Sequence, residues 1–409
     1  MRSPRDGRPD EHNDAATAEQ RTSKGIESVV PRVMVVYGTR PEAVKMAPVV
    51  AALRERTTLE PIVAVTGQHR EMLDQVHEFF GIRPDHDLAI LTERQTLTEI
   101  TVRALEGINS LVRKVAPDAV VVQGDTTTTF AGALAAFYER VPVVHVEAGL
   151  RTDDRYSPFP EEINRRLTTE LASLHLAPTV ANRDRLVAAG VPPSAIAVTG
   201  NTVIDALCTV VDRRQPYSDP ELAEVLRRGR RVIVVTTHRR ESWGEPMREA
   251  LRAILDVIKD RPDVEVVVPM HRNPIVREVV VAELADQPRV HLTEPLPYAE
   301  FARLLSECYL VVTDSGGIQE EAPSLGRPVL VLRDNTERTE AVEAGTVRLV
   351  GTRRPVVRDA LAQLLDDERA YAEMASAVNP YGDGKAAERC VAAIEELLGL
   401  GHRLPDYVP

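Results

Sequence analysis

Three carboxylates, Asp125, Glu147 and Glu161, stand where a side chain could act as general acid or base. Asp125 and Glu147 each follow a run of apolar residues, at 119–122 and 142–146. A carboxylate at the end of an apolar strand is partly desolvated, which raises its pKa and makes it a better base. Asp125 also fits a second duty, the N-cap of a helix beginning at Thr126. Glu161 lies four residues before Arg165, so the two share a helix face and could form no more than a surface ion pair. The stiff stretch Tyr156-Ser-Pro-Phe-Pro160 before it favours a functional role. His238 ends another apolar run directly before Arg239 and Arg240, a place from which it can donate to phosphate or pass a proton. His145 reads as a core or supporting group, and His271 as a weaker candidate.

A second set of residues suits an anion. Gly38-Thr-Arg40 ends the first strand-like run, and Pro41-Glu42 opens a helix whose N-terminus offers free N–H groups and partial positive charge. Arg40 and Lys45 add full charges, which together suit a diphosphate. Ser315-Gly316-Gly317 repeats the strand, glycine turn and helix start. Glu320 and Glu321 follow it, and one of them could accept hydrogen bonds from ribose hydroxyls; the alternative is that both merely favour the helix N-terminus. Gly-x-Gly-x-x-Gly after a strand and Gly-x-x-x-x-Gly-Lys-Ser/Thr are both missing, so neither a dinucleotide fingerprint nor a P-loop is offered. No cofactor is expected.

The elements that must position these groups alternate along the chain. Strand-like runs at 33–36, 61–65, 119–122, 142–146 and 195–198 are separated by helical patterns, such as 41–56 with Ala43, Met46, Ala47 and Val50 on one face. After a turn-rich, charged connection the alternation restarts at 232–235, 264–268, 289–292, 309–312 and 328–332. Such alternation predicts α/β architecture with parallel strands and right-handed crossovers. The chain of 409 residues exceeds the size at which one core usually stops growing. Two doubly wound, Rossmann-like halves are therefore expected, at 32–201 and 202–379, with the ligand in the cleft between them and a last helix, within 380–402, crossing back to the first.

A hydrophobic fraction of 43% with only 4% aromatic residues suits aliphatic strands under Ala/Leu-rich helices. The net charge of −12 argues against non-specific nucleic-acid binding, so an anionic ligand must meet a local group of arginines. Cys208, Cys308 and Cys390 lack metal-ligand spacing and read as buried structural thiols, with no metal site. Residues 1–31 are polar and charged, read as a disordered tail, and lack the apolar core of a secretion signal. No apolar stretch approaches the ~20 residues that span a bilayer. A cytoplasmic protein is expected.

Eight separated motifs, in order, resemble those of the bacterial non-hydrolysing UDP-N-acetylglucosamine 2-epimerases: Gly38-Thr-Arg-Pro-Glu-Ala43, Thr66-Gly-Gln-His-Arg-Glu-Met72, Gly124-Asp-Thr-Thr127, 145–152, 156–166, Gly200-Asn-Thr202, 238–241 and 313–323. The resemblance runs from about residue 33 to the final helix. It implies a GT-B-like fold of two Rossmann-like domains. It also implies Asp125, Glu147 and Glu161 as acid/base groups, supported by Lys45, Arg165 and His238. Arg40, Phe301, Ser315, Gly316, Gly317 and Glu321 would hold UDP, and Gln68, His69 and His271 a second, activating substrate molecule. The family further implies a homodimer and a place in cell-surface polysaccharide biosynthesis. A hydrolysing 2-epimerase, a glycosyltransferase using the same donor and a non-catalytic sensor of nucleotide sugars are the competing readings; three carboxylates argue against the last.

Overall fold

The structure, a computed structural model, describes residues 30–67, 70–92, 95–152 and 154–409. The tail expected at 1–31 therefore falls almost wholly outside the described residues, as do Gln68 and His69.

Thirteen strands are described: β1 Arg32–Tyr37, β2 Glu60–Val65, β3 His86–Asp87, β4 Ala119–Gln123, β5 Val143–Val146, β6 Leu174–Ala177, β7 Ile196–Val198, β8 Arg231–Thr236, β9 Val264–Pro269, β10 Val290–Thr293, β11 Leu310–Thr313, β12 Val329–Val331 and β13 Val347–Leu349. They form two all-parallel sheets, ordered β3-β2-β1-β4-β5-β6-β7 and β10-β9-β8-β11-β12-β13. Val33–Val36 and 119–122 are fully buried because helices cover both faces, so the strands read as continuous aliphatic runs. In each sheet the order reverses between two central strands, β1 and β4 in one, β8 and β11 in the other. Ligands of doubly wound sheets sit beyond the carboxyl ends at such a reversal.

Two helices tie the sheets together. Thr202–Arg213 packs against Arg40–Arg54 and also against Tyr298–Glu307 and Ile318–Ser324. The final helix, Ala386–Leu397, packs on Arg40–Arg54 and β6, burying Cys390, Val391 and Ile394 in the core of the first sheet. Its N-terminus is capped from a distance: Asp205 Oδ1 accepts from Ala387 N at 2.8 Å and Oδ2 from Ala386 N at 3.2 Å. Close approach of Gly200, at φ +85°, to the Gly382 Cα makes room for this joint. One expectation needs correction. Cys308 and Cys390 are buried, but Cys208 is exposed, because it lies off the buried Val203, Ala206, Leu207 and Val210 stripe of its helix. Among the described residues no helix is long and apolar enough to cross a membrane.

Burial pushes the Asp205 carboxyl up to about 6 from its ordinary 3.8. The folded chain thus holds a proton that the unfolded chain has lost between those values, so this group's contribution is full below pH 4 and falls as pH climbs to 6. Asp205→Asn should flatten the pH dependence of the denaturation midpoint across that window, and Asp205→Ala should cost about 1 kcal/mol by loss of the cap. Denaturation curves that superimpose on those of the unsubstituted chain would exclude the capping role.

Candidate active site

The loops after β1, β4, β5 and β12 line a cavity of about 920 Å³ that also receives Arg239 from the loop after β8. Cations reach it from both sheets: Lys45, Arg151, Arg165 and Arg185 from the first, Arg239, Arg333 and Arg338 from the second. Local charge here opposes the overall negative charge of the chain.

The β1 loop is built by a capping box. Thr39 caps the helix Arg40–Arg54 with Glu42 at its third position, and Glu42 Oε2 accepts from Gly38 N at 3.0 Å and Thr39 N at 2.7 Å. Its other oxygen accepts from Thr126 Oγ1 at 2.7 Å and Thr129 Oγ1 at 3.1 Å, locking the β1 and β4 loops together. Gly38 is required there: a Cβ would sit 2.2 Å from Thr66 Oγ1 and 2.5 Å from Thr128 Oγ1.

Glu147 is the most constrained acid. Its backbone is left-handed at φ +63°, a conformation costing a non-glycine residue of order 1 kcal/mol or more. Lys45 Nζ donates to both its oxygens, at 2.6 and 2.7 Å, and Gln123 and Asn201 donate as well. Burial pushes its carboxyl up, but the Lys45 ammonium outweighs burial and holds it below the usual carboxylate range. The lysine is held above its ordinary value for the same reason. Asn201 continues the chain, donating to Glu320 Oε2 at 2.8 Å, and Glu320 Oε1 accepts from Arg338 Nε at 2.9 Å. One polar path thus runs from the first sheet to the second.

Asp125 does not cap its helix. Thr126 does, accepting from Thr129 N, which leaves the Asp125 carboxylate free to accept from Arg165 at 2.9 Å. Arg165 pairs with Glu162 rather than with Glu161, at 3.0 Å. Glu162 is fully buried, and its other partners are Arg166 and Thr152 N, so it anchors the loop ahead of its helix. Glu161 opens that helix and lies outside the cavity lining, without an ion pair among the described residues.

His238 Nδ1 lies 3.0 Å from Asp314 Oδ1, and its ring stacks on His271 with centroids 5.4 Å apart. Burial pushes the Asp314 carboxyl up, yet His238 and the N–H groups of His238 and Arg239 hold it below its usual range. His145 is buried, hydrogen-bonded to Gly124 O at 2.7 Å, and kept neutral by burial, which lowers it to about 4. Gly316 lies against two guanidinium groups; a Cβ there would be 3.2 Å from Arg338 Cζ and 3.6 Å from Arg239 Nη2. Ser315 and Gly317 flank it, Gly317 capping the helix Ile318–Ser324. Burial, with Glu320 next to it, pushes the Glu321 carboxyl up to about 8. Phe301 is half-buried against the core of the second sheet, and Arg40 is exposed at the first position of its helix. Arg40, Phe301, Ser315, Glu321, His238 and His271 stand outside the cavity lining. Among the described residues no group of three or more His, Cys, Asp and Glu could hold a metal ion.

The family model described as UDP-N-acetylglucosamine 2-epimerase matches residues 51–395. The chain belongs to the UDP-N-acetylglucosamine 2-epimerase family. The UDP-N-acetylglucosamine 2-epimerase of Bacillus subtilis is 52% identical over 367 residues, covering 90% of this chain and 95% of the relative. That of Escherichia coli K12 is 50% identical over 377 residues, covering 89% and 98%. The crystal structure of the UDP-GlcNAc 2-epimerase from Neisseria meningitidis, bound to UDP-GlcNAc, is similar with a TM-score of 0.79 at 45% identity, covering 90% of this chain and all of that one. The two parallel α/β sheets expected from the strand pattern, with the GT-B-like fold that the resemblance implied, are the fold of this epimerase family.

Gly38→Ala should therefore disrupt the meeting of the β1 and β4 loops in this family member. A loss of about 1–3 kcal/mol is expected from overpacking, read as a lower melting temperature. A variant that melts with the unsubstituted chain would contradict the close approach.

Proposed function

We propose that the protein interconverts UDP-N-acetylglucosamine and UDP-N-acetylmannosamine at carbon 2, without hydrolysis, by elimination and re-addition of UDP. One observation carries the reading: arginines from both sheets and Lys45 line the same cavity as Asp125 and Glu147. Membership of the 2-epimerase family supports it.

Carbon 2 bears an acetamido nitrogen and is not adjacent to a carbonyl, so its proton is too weakly acidic for simple removal and return. Elimination solves this. A carboxylate takes the carbon 2 proton, the released electron pair forms the C1–C2 double bond, and the C1–O bond breaks with UDP leaving on its own pair. A 2-acetamidoglucal and UDP remain in the cleft. The reverse addition returns a proton to the opposite face of carbon 2 and the phosphate oxygen to carbon 1. Charge growing on the departing diphosphate is met by preorganised cations, the largest kind of contribution such a site can make. Two faces need proton transfer, which gives Asp125, Glu147 and Glu161 separate duties; Lys45, Arg165 and His238 support the diphosphate and sugar. Arg40, Phe301, Ser315, Gly316, Gly317 and Glu321 hold UDP in this reading, with closure of the two halves bringing the outlying ones onto the ligand and excluding water. The reading also includes a homodimer. A second, activating substrate molecule would be held by Gln68, His69 and His271, the product serving cell-surface polysaccharides.

Incubation with UDP-N-acetylglucosamine in heavy water, followed by NMR, should give UDP-N-acetylmannosamine with deuterium at carbon 2. Free N-acetylmannosamine would identify a hydrolysing enzyme, and an unchanged sugar would contradict epimerisation altogether. Asp125→Asn, Glu147→Gln and Glu161→Gln should each slow turnover by about 10²-fold or more while UDP still binds. Near-normal rates in all three would remove the acid/base assignment.

A further inference from the structure

Asn201 and Glu320 lie behind the cavity wall rather than in it, and both are buried. Asn201 commits its side-chain nitrogen to two carboxylates, Glu147 Oε1 at 3.1 Å and Glu320 Oε2 at 2.8 Å, while its oxygen accepts from Val203 N at 3.2 Å. That helix-cap bond fixes which way the amide faces. On either side of this bridge each carboxylate is neutralised by one cation that does reach the cavity: Lys45 for Glu147, Arg338 for Glu320. Two ion pairs of opposite sense, joined by one amide, therefore sit at the seam of the two sheets.

Resting on the reading above, we propose that Asn201 and Glu320 are positioning residues that couple capture of the diphosphate by Arg338 and Lys45 to activation of Glu147 as a base. An arriving diphosphate offers both cations a doubly charged partner. As they turn to it, Glu147 and Glu320 are left facing one another across Asn201, and two carboxylates so held disfavour a second negative charge. Glu147, a poor base while Lys45 covers both oxygens, then gains the affinity for a proton that abstraction needs. Facing Glu147 are Lys45 from the helix Arg40–Arg54, Gln123 from β4, Asn201, the charge of Arg338 and neutral His145, with the Glu320 carboxylate on the same Asn201 amide. None of the others can supply the repulsion that Glu320 supplies.

The test needs UDP titration calorimetry and the pH profile of kcat on the full chain. Glu320→Gln frees Arg338 from its closer carboxylate partner, leaving Glu337 at 3.7 Å, and removes the repulsion, so UDP should bind about tenfold tighter, while kcat falls about tenfold and its acidic limb moves to lower pH. Asn201→Ser keeps an N-cap oxygen but loses both amide donors to the carboxylates; its limb should move to higher pH, with a melting temperature lowered by the lost hydrogen bonds. Opposite movement of the two limbs, with tighter UDP in Glu320→Gln, supports the coupling. Weaker or unchanged UDP binding in Glu320→Gln, or two limbs that stay put, overturns it. Should the unsubstituted chain leave UDP-N-acetylglucosamine unchanged, the functional reading fails, and the UDP titrations alone still decide whether Glu320 restrains Arg338. An unsubstituted chain that binds no UDP overturns both.

Discussion

A buried carboxylate must be paired, and at the seam of this molecule two of them are. Removing a charge from water costs several kcal/mol unless a partner and hydrogen bonds replace the solvent. Glu147 and Glu320 meet that requirement because Lys45 pairs with the first on one side of the seam, Arg338 with the second on the other, and Asn201 donates to both. The relative placement of the strand-end loops follows from this constraint. It also leaves the cavity lined by Lys45 and Arg338, each paired with a carboxylate side chain.

The rest of the fold serves that seam. Thr202–Arg213 begins with Asn201, contacts helices of both halves, and carries Asp205, which anchors the start of the returning final helix. Glu42 staples the first turn of Arg40–Arg54, which presents Lys45, to the β4 loop, which presents Asp125. The left-handed backbone of Glu147 is tolerated because four donated hydrogen bonds define where its carboxylate must be.

Much of this was legible in the chain because long aliphatic runs mark buried parallel strands and polar residues at their ends mark the ligand side. Three strands gave no such signal. β3 is the dipeptide His86–Asp87, β6 interrupts its apolar run with His175, and β13 places Arg348 between its apolar ends. In the site, Gly38, Lys45, Asp125 and Glu147 followed from strand-end logic, and Arg165 from its helical spacing to Glu161 and from the resemblance. The β12 loop did not stand out: Arg333-Asp-Asn-Thr-Glu-Arg-Thr339 has no glycine turn and reads as solvated polar chain. Its one available signal was its position directly after the apolar run 328–332. Local rules also could not decide between adjacent acids. Periodicity places Glu161 and Glu162 one step apart on a helix, and only packing against Thr152 and Arg166 selects Glu162 for burial. The same limit applied at Asp125, where the cap fell one residue later, on Thr126.

The most direct measurement is a crystal structure of the chain with UDP bound. Lys45 Nζ and the Arg338 guanidinium should lie on phosphate oxygens there, with the 2.6 and 2.7 Å contacts between Lys45 and Glu147 broken and Asn201 still between the two carboxylates. UDP seated in the cavity while both ion pairs remain intact would contradict this.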